Sequence, residues 1–305
     1  MKLSPSVFAA VIGLSLMPVG ASAQNFAGTV VSSSGLRSGS TFSDPSAVLG
    51  QPTTLDDDTF GDPVYHASMV NPAFGVDANT GKNLLAAFSP NSPGQITVQM
   101  SAPITHSGTS WYGQDFTVFS NTGFASSGFV DDTTDMSQYH IGNGTTFGTL
   151  PQISVSADGN TFYNVVSSDS VLFPENPYHW AGMSSASPSG WGNLNDFSKP
   201  IAPTLTAADF AGQTVAYADN TLYNGSAGGT SYSFFGQTPL TTIDFIRFSS
   251  VSTGSGGVID GVAAVGSAAP VPEASSLIST GIMLVLGLGA FAVSAKRRKT
   301  QKLPR

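Results

Sequence analysis

A chain of 305 residues with no cysteine, 34 Gly, 19 Pro and 10% charged residues has no disulfide framework, no thiolate zinc site and no cysteine nucleophile. Its 40% hydrophobic content is enough for a real core and argues against wholesale disorder. A formal net charge of −8 argues against a nucleic-acid partner.

At the start, Met1-Lys2-Leu3 leads into an apolar run, residues 7–19, that is too short to span a bilayer. It is followed by Ala21-Ser22-Ala23. This order predicts a secretory signal peptide over residues 1–23, with the small Ala21 and Ala23 seated in signal peptidase and cleavage after Ala23.

Residues 24–266 show no amphipathic helix. They carry short β-branched or aromatic runs broken by Gly, Pro, Asn and Asp, which predicts an all-β exported domain. In residues 95–100, Ile96, Val98 and Met100 alternate with polar neighbours; in 153–156, Ile153 and Val155 share a face. Each reads as a strand with one wet face. Residues 115–120 (DFTVFS) and 241–250 (TTIDFIRFSS) read instead as central strands covered on both faces. Asp158-Gly159 predicts a tight hairpin, and 257–265 (GVIDGVAAV) a final strand. With no internal repeat and no Pro/Ser-rich divide, a single two-sheet sandwich with long loops, at 44–64, 121–150 and 174–212, fits best.

Beyond the domain, residues 277–295 (LISTGIMLVLGLGAFAVSA) carry no charge over a length that suits one transmembrane helix. Lys296-Arg297-Arg298-Lys299 follows directly. The positive-inside rule holds such a cluster in the cytoplasm, so the body is exported. That body is strongly acidic: residues 24–270 hold 18 carboxylates against four cations, Arg37, Lys82, Lys199 and Arg247.

The order Val271-Pro272-Glu273-Ala274-Ser275, apolar helix, basic tail (296–305) resembles the PEP-CTERM sorting signal of Gram-negative bacteria, with Ala274 where the family usually has a second Pro. The resemblance implies processing near 271–275 by an exosortase, a membrane-embedded transpeptidase. It also implies export through the inner membrane with a transient anchor there, then a place at the cell surface or in an extracellular polysaccharide matrix.

The body has its own resemblance, carried by residues 44–52 (DPSAVLGQP), 115–121 (DFTVFSN), 155–163 (VSADGNTFY), 196–200 (DFSKP), 225–230 (GSAGGT), 245–248 (FIRF) and 259–263 (IDGVA). It is similar to bacterial cell-surface proteins whose jelly-roll-like sandwich resembles discoidin and other galactose-binding-like domains. That family has no common activity, so fold carries over and function does not.

Chemistry is sparse. There is no Gly-x-Ser-x-Gly elbow, and His66, His106, His140 and His179 are scattered singly. Asp56, Asp57, Asp58 and Asp62 form the densest acidic cluster, with Asp131, Asp132 and Asp135 second. Loop aspartates suit calcium, and the competing reading is solvated acids that keep the body soluble. Structural calcium is also implied by the jelly-roll resemblance. Tyr178, Trp180 and Trp191 lie in a Pro/Gly/Ser-rich stretch and are candidates to stack on sugar rings, whereas Trp111 and Tyr112 read as core. The leading expectation is a non-catalytic surface or matrix protein associated with extracellular polysaccharide. The alternative is a secreted hydrolase acting on polysaccharide through Asp residues.

Both processing signals are testable by intact mass. Protein recovered from envelope and medium should begin at Gln24 and lack the tail, and Pro272→Ala with Glu273→Ala should hold the chain uncut. A product that still carries residues 296–305 in a strain with active exosortase contradicts the sorting reading.

Overall fold

The computed structural model describes residues 24–39, 41–56, 65–76, 83–90, 92–126, 128, 134–180, 191–250 and 256–267. The chain divides into two compact units, Met1–Gly266 and Ser267–Arg305. The description below concerns the first. The signal segment 1–23 and the sorting segment, with Val271, Pro272, Glu273, the apolar stretch and Lys296 to Lys299, lie outside the described residues. Among the described residues no helix is long and apolar enough to cross a membrane.

The described chain is mostly β. In order come β1 (Ala27–Ser34), β2 (Leu55–Asp56), β3 (Tyr65–His66), β4 (Ala86–Ala87), β5 (Gly94–Thr105) and β6 (Phe116–Phe119). Then follow β7 (Gly123–Ser126), β8 (Ile141–Phe147), β9 (Gln152–Ser156), β10 (Tyr163–Val165), β11 (Tyr178–Trp180) and β12 (Trp191–Leu194). Last are β13 (Thr230–Tyr232), β14 (Thr242–Ser250), β15 (Val258–Ile259) and β16 (Gly261–Ala264). Short helical turns at Ala207–Phe210, Val215–Tyr217 and Ala218–Tyr223, the last wound as a π-helix, interrupt the pattern.

Two antiparallel sheets dominate, one ordered β1-β5-β14-β9-β10 and the other β13-β6-β16. Their apolar side chains enter one buried cluster: Ile96 and Val98 of β5, Ile246 and Phe248 of β14, Phe116 and Val118 of β6, and Val262 of β16. Every residue of β6 is buried, as its unbroken apolar run predicts. Phe116 stacks on Tyr232 with ring centres 5.3 Å apart, and Phe119 meets Phe197 edge-on at 5.4 Å.

β14 departs from the sequence reading. It is central, between β5 and β9, but a bulge between Ile243 and Phe245 resets its phase. Ile246, Phe248 and Ser250 then point inward, while Phe245, Arg247 and Ser249 are half-buried on the other face. The faces of β5 and β9 predicted to be wet are covered in part: Thr97, Ser154 and Ser156 are buried, while Gln99 and Gln152 are exposed. Register places Arg247 beside Thr97 and Ser154, both buried, and its guanidinium lies 3.5 Å from the centre of the Phe162 ring.

The other departures are local. Tyr163 pairs with Val155, so the β9–β10 hairpin is wider than a two-residue turn. Its loop is held by the Asp158 carboxylate, which accepts the N–H groups of Asn160 and Thr161, both at 2.8 Å. The predicted final strand splits at Asp260, with β15 pairing β4 and β16 pairing β6. The long connections contain structure: β7 and β8 lie within 121–150, and β11 and β12 within 174–212. Trp111 is half-buried and Tyr112 exposed, so neither is core. Past the short edge strand β10, the side chain of Gln237 accepts the N–H of Val166 and donates to its carbonyl, both at 2.9 Å, blunting the edge.

Asp169 accepts the N–H and hydroxyl of Ser231 at 2.7 and 2.9 Å, yet burial pushes its carboxyl up to about 6. The folded protein therefore holds this proton more tightly than the unfolded chain does. Its contribution is full below the unfolded value of 3.8 and is lost as pH rises through about 6. Denaturant melts from pH 4 to 7 should show stability falling by about 2 kcal/mol more in the wild type than in Asp169→Asn. Parallel curves would refute this.

Candidate functional site

The site grows from the β11–β12 hairpin and the π-wound turn beside it. Residues entering β11 are anchored to the 223–229 loop. Tyr223 Oη donates to Pro174 O at 2.9 Å, and Asn176 N donates to Ala227 O at 2.8 Å. Within β11, period-two alternation sends Trp180 to one side and His179 to the other.

Trp180 is only 3% exposed and packs in a buried cluster with Met69, Phe124, Phe173, Phe210 and Tyr223. Its ring is therefore core, which corrects the expectation that it faces a sugar. Tyr178 is half-buried and meets the His66 ring edge-on at 4.8 Å. Trp191 opens β12, where its backbone pairs with Trp180. The stretch read as a loop is thus a strand pair, with Trp180 on its inner side.

What holds the hairpin to the turn is one carboxylate. Asp219 is buried and accepts Asn176 Nδ2 at 2.6 Å, Trp180 N at 2.7 Å and Asn195 Nδ2 at 3.2 Å. His179 Nδ1 stands 3.0 Å from its other side and keeps 44% of its side chain exposed. Burial pushes the Asp219 carboxyl up, and the N–H of Trp180, Asn195 and His179 pull it back. The imidazole stands beside this carboxylate at ion-pair distance and stays partly open to solvent.

An open cleft of about 410 Å3 lies over this arrangement, lined by His179, Asn193, Asn195, Asp196, Asn220 and Asn224, with Leu194 at its side. Four asparagines line it, a composition that suits a polyhydroxylated ligand, although Asn195 spends its amide hydrogens on Asp219 and Asn176 O and Asn220 gives one to Ala216 O. Leu194, 47% exposed, adds apolar contact. Nearby, the Lys199 ammonium donates to Asn224 O and lies 5.0 Å from the centre of the Trp111 ring.

A second feature lies deeper. Glu175 and Asp260 are each 1% exposed. Burial, then the neighbouring Asp260, pushes Glu175 well above the carboxylate range; burial pushes Asp260 up to about 7.

Of the predicted calcium cluster, Asp56 ends β2, and Asp57, Asp58 and Asp62 lie outside the described residues, as do Asp131 and Asp132. Among the described residues, no three acidic or histidine side chains converge as a metal-ligand group. Sequence reasoning missed His179, Asp219 and the four asparagines. The Tyr-His-Trp alternation was the available signal for His179. No protein-family model, curated protein or solved structure matches the chain.

The inward Trp180 carries a direct expectation. Trp180→Ala should destabilise the protein by about 3–5 kcal/mol in chemical denaturation, whereas Asn193→Ala should melt like the wild type. A Trp180→Ala variant of unchanged stability would return this ring to the surface.

Proposed function

We propose that the protein is an exported, non-catalytic surface or matrix protein whose jelly-roll-like sandwich associates with extracellular polysaccharide through the β11–β12 cleft. Support for export and exosortase-type sorting comes from the leader, the sorting motif and the basic tail in the sequence. Support for the ligand class comes from the amide-lined cleft, which is the observation that carries the reading. Asparagine amides and an oriented imidazole recognise hydroxyl groups without needing charge on the ligand. With 18 carboxylates and four cations in residues 24–270, the body disfavours a polyanion and suits a neutral glycan.

The hydrolase alternative draws on His179, which stands 3.0 Å from the Asp219 carboxylate in the cleft wall. Against it, no serine or threonine is among the described residues that line the cleft. The buried acids Glu175 and Asp260 are each 1% exposed and do not line this cleft, so they offer it no opposed pair of carboxyls.

Retention of the full-length protein on the producer's own polysaccharide separates these readings. Asn193→Ala combined with Asn220→Ala should weaken retention at least about tenfold, equal to about 1.4 kcal/mol, with normal melting. Unchanged retention refutes the cleft. Release of new reducing ends from the same polysaccharide would favour the hydrolase.

A further inference from the structure

The turn before β6 carries an aromatic pair that packing does not explain. Gln114 N donates to Trp111 O at 3.0 Å and closes the turn around Tyr112 and Gly113. Tyr112 has φ +53° and ψ +18°, and Gly113 follows at φ +70°. Positive φ at both central residues is the type I′ combination, whose first central position takes Asn, Asp or Gly and strains a bulky side chain.

Among the described residues, Tyr112 and Asn224 are the two non-glycines at positive φ. Asn224 caps the C-terminal end of the π-wound turn, where that conformation is ordinary for Asn. Tyr112 has no such reason, and at 48% exposure it is not held there by burial. A bulky aromatic kept both strained and exposed points to a use for its ring outside folding.

Lys199 joins this turn to the β11–β12 cleft. Its ammonium donates to Asn224 O, in the cleft lining, and lies 5.0 Å from the centre of the Trp111 ring. The Trp111 and Tyr112 rings are 6.0 Å apart, tilted by 50°. The backbone beneath is tied down as well. Lys199 N donates to Asp196 O at 3.2 Å, Trp111 N to Gly266 O at 3.3 Å, and Gly266 N to Ser198 O at 2.8 Å.

We propose, building on the polysaccharide reading, that Trp111 and Tyr112 form a second sugar subsite beside the cleft, where the Tyr112 ring stacks on a pyranose of the same neutral polysaccharide. The cleft offers amides but little apolar surface. An exposed ring supplies what amides lack, a flat apolar contact for the C–H face of a sugar. Lys199 has three N–H donors, of which the bond to Asn224 O occupies one, so the ammonium between the two subsites has donors left for sugar hydroxyls.

The test measures retention of the full-length protein on the producer's own polysaccharide, alongside thermal melting. Tyr112→Asn should weaken retention about three- to tenfold, the loss of one aromatic contact, and should melt at or above the wild type, because the turn receives a residue it accommodates. Tyr112→Phe keeps the ring and should be retained as the wild type is. Normal retention of Tyr112→Asn overturns the subsite; if Asn193→Ala with Asn220→Ala still loses retention, the cleft reading stands without it. The reverse result, loss in Tyr112→Asn and normal retention of the double variant, supports the aromatic subsite and removes the cleft. Equal losses in Tyr112→Phe and Tyr112→Asn overturn the stacking role, and so does a Tyr112→Asn variant that melts well below the wild type, since the ring is then a packing element. A wild type that is not retained at all removes both subsites.

Discussion

A body with 18 carboxylates and four cations cannot neutralise its buried acids by ordinary ion pairing, and its architecture follows from what takes the place of those pairs. Asp115 is satisfied by His106 Nδ1 at 2.8 Å, the Ser233 hydroxyl at 2.9 Å and the N–H of Phe234 at 3.0 Å. Asp169 uses Ser231, and Asp219 uses two asparagines, a backbone N–H and a histidine. In each case neutral donors from segments distant in sequence converge on one carboxylate, so the acid staples loops together. Two of the four cations, Arg247 and Lys199, lie instead over the aromatic rings of Phe162 and Trp111. Glu175 breaks this pattern, since it is buried without a donor among the described residues.

The parts of the fold that were legible in the sequence are those where one physical requirement dominates a short window. β6 is apolar at nearly every position, and a strand buried on both faces can be little else. β14, of similar composition, is also central and has no exposed residue, but an irregularity after Ile243 breaks its alternation and leaves Phe245, Arg247 and Ser249 only half-buried. The final strand was found but not its break, since nothing local to residues 257–265 says that Asp260 must accept Thr53 N–H from a loop more than two hundred residues earlier.

The site was less legible, for a related reason. Tyr178 and Trp180 sit in a Pro/Gly/Ser-rich stretch, and composition suggested a loop; pairing with β12 makes a strand, and the strand's alternation then decides which ring is buried. The asparagines of the cleft come from β12, the segment after it, and both ends of the π-wound turn, and no local motif joins them. Glu175 stands out in the sequence as the one glutamate before the sorting motif, but nothing local foretells that Gly228, at positive φ, lets the Pro174 carbonyl beside it press against the 223–229 loop.

Asp219 couples these levels. The carboxylate that orients His179 in the cleft also accepts the backbone N–H of Trp180, whose ring is embedded in the core. Asn195, which lines the cleft, donates to the same carboxylate and to Asn176 O at 2.9 Å. The polar floor of the cleft is thereby bolted to apolar packing beneath it. A ligand arriving there would not have to order His179 or Asn195 at the moment of binding, and ordering such side chains otherwise costs about 0.5–1.5 kcal/mol each. For a shallow, open cleft with few apolar contacts, that saving decides whether a hydroxyl-rich ligand can be held at all. The physical role of the buried acid is thus to spend folding free energy on keeping a wet surface in order.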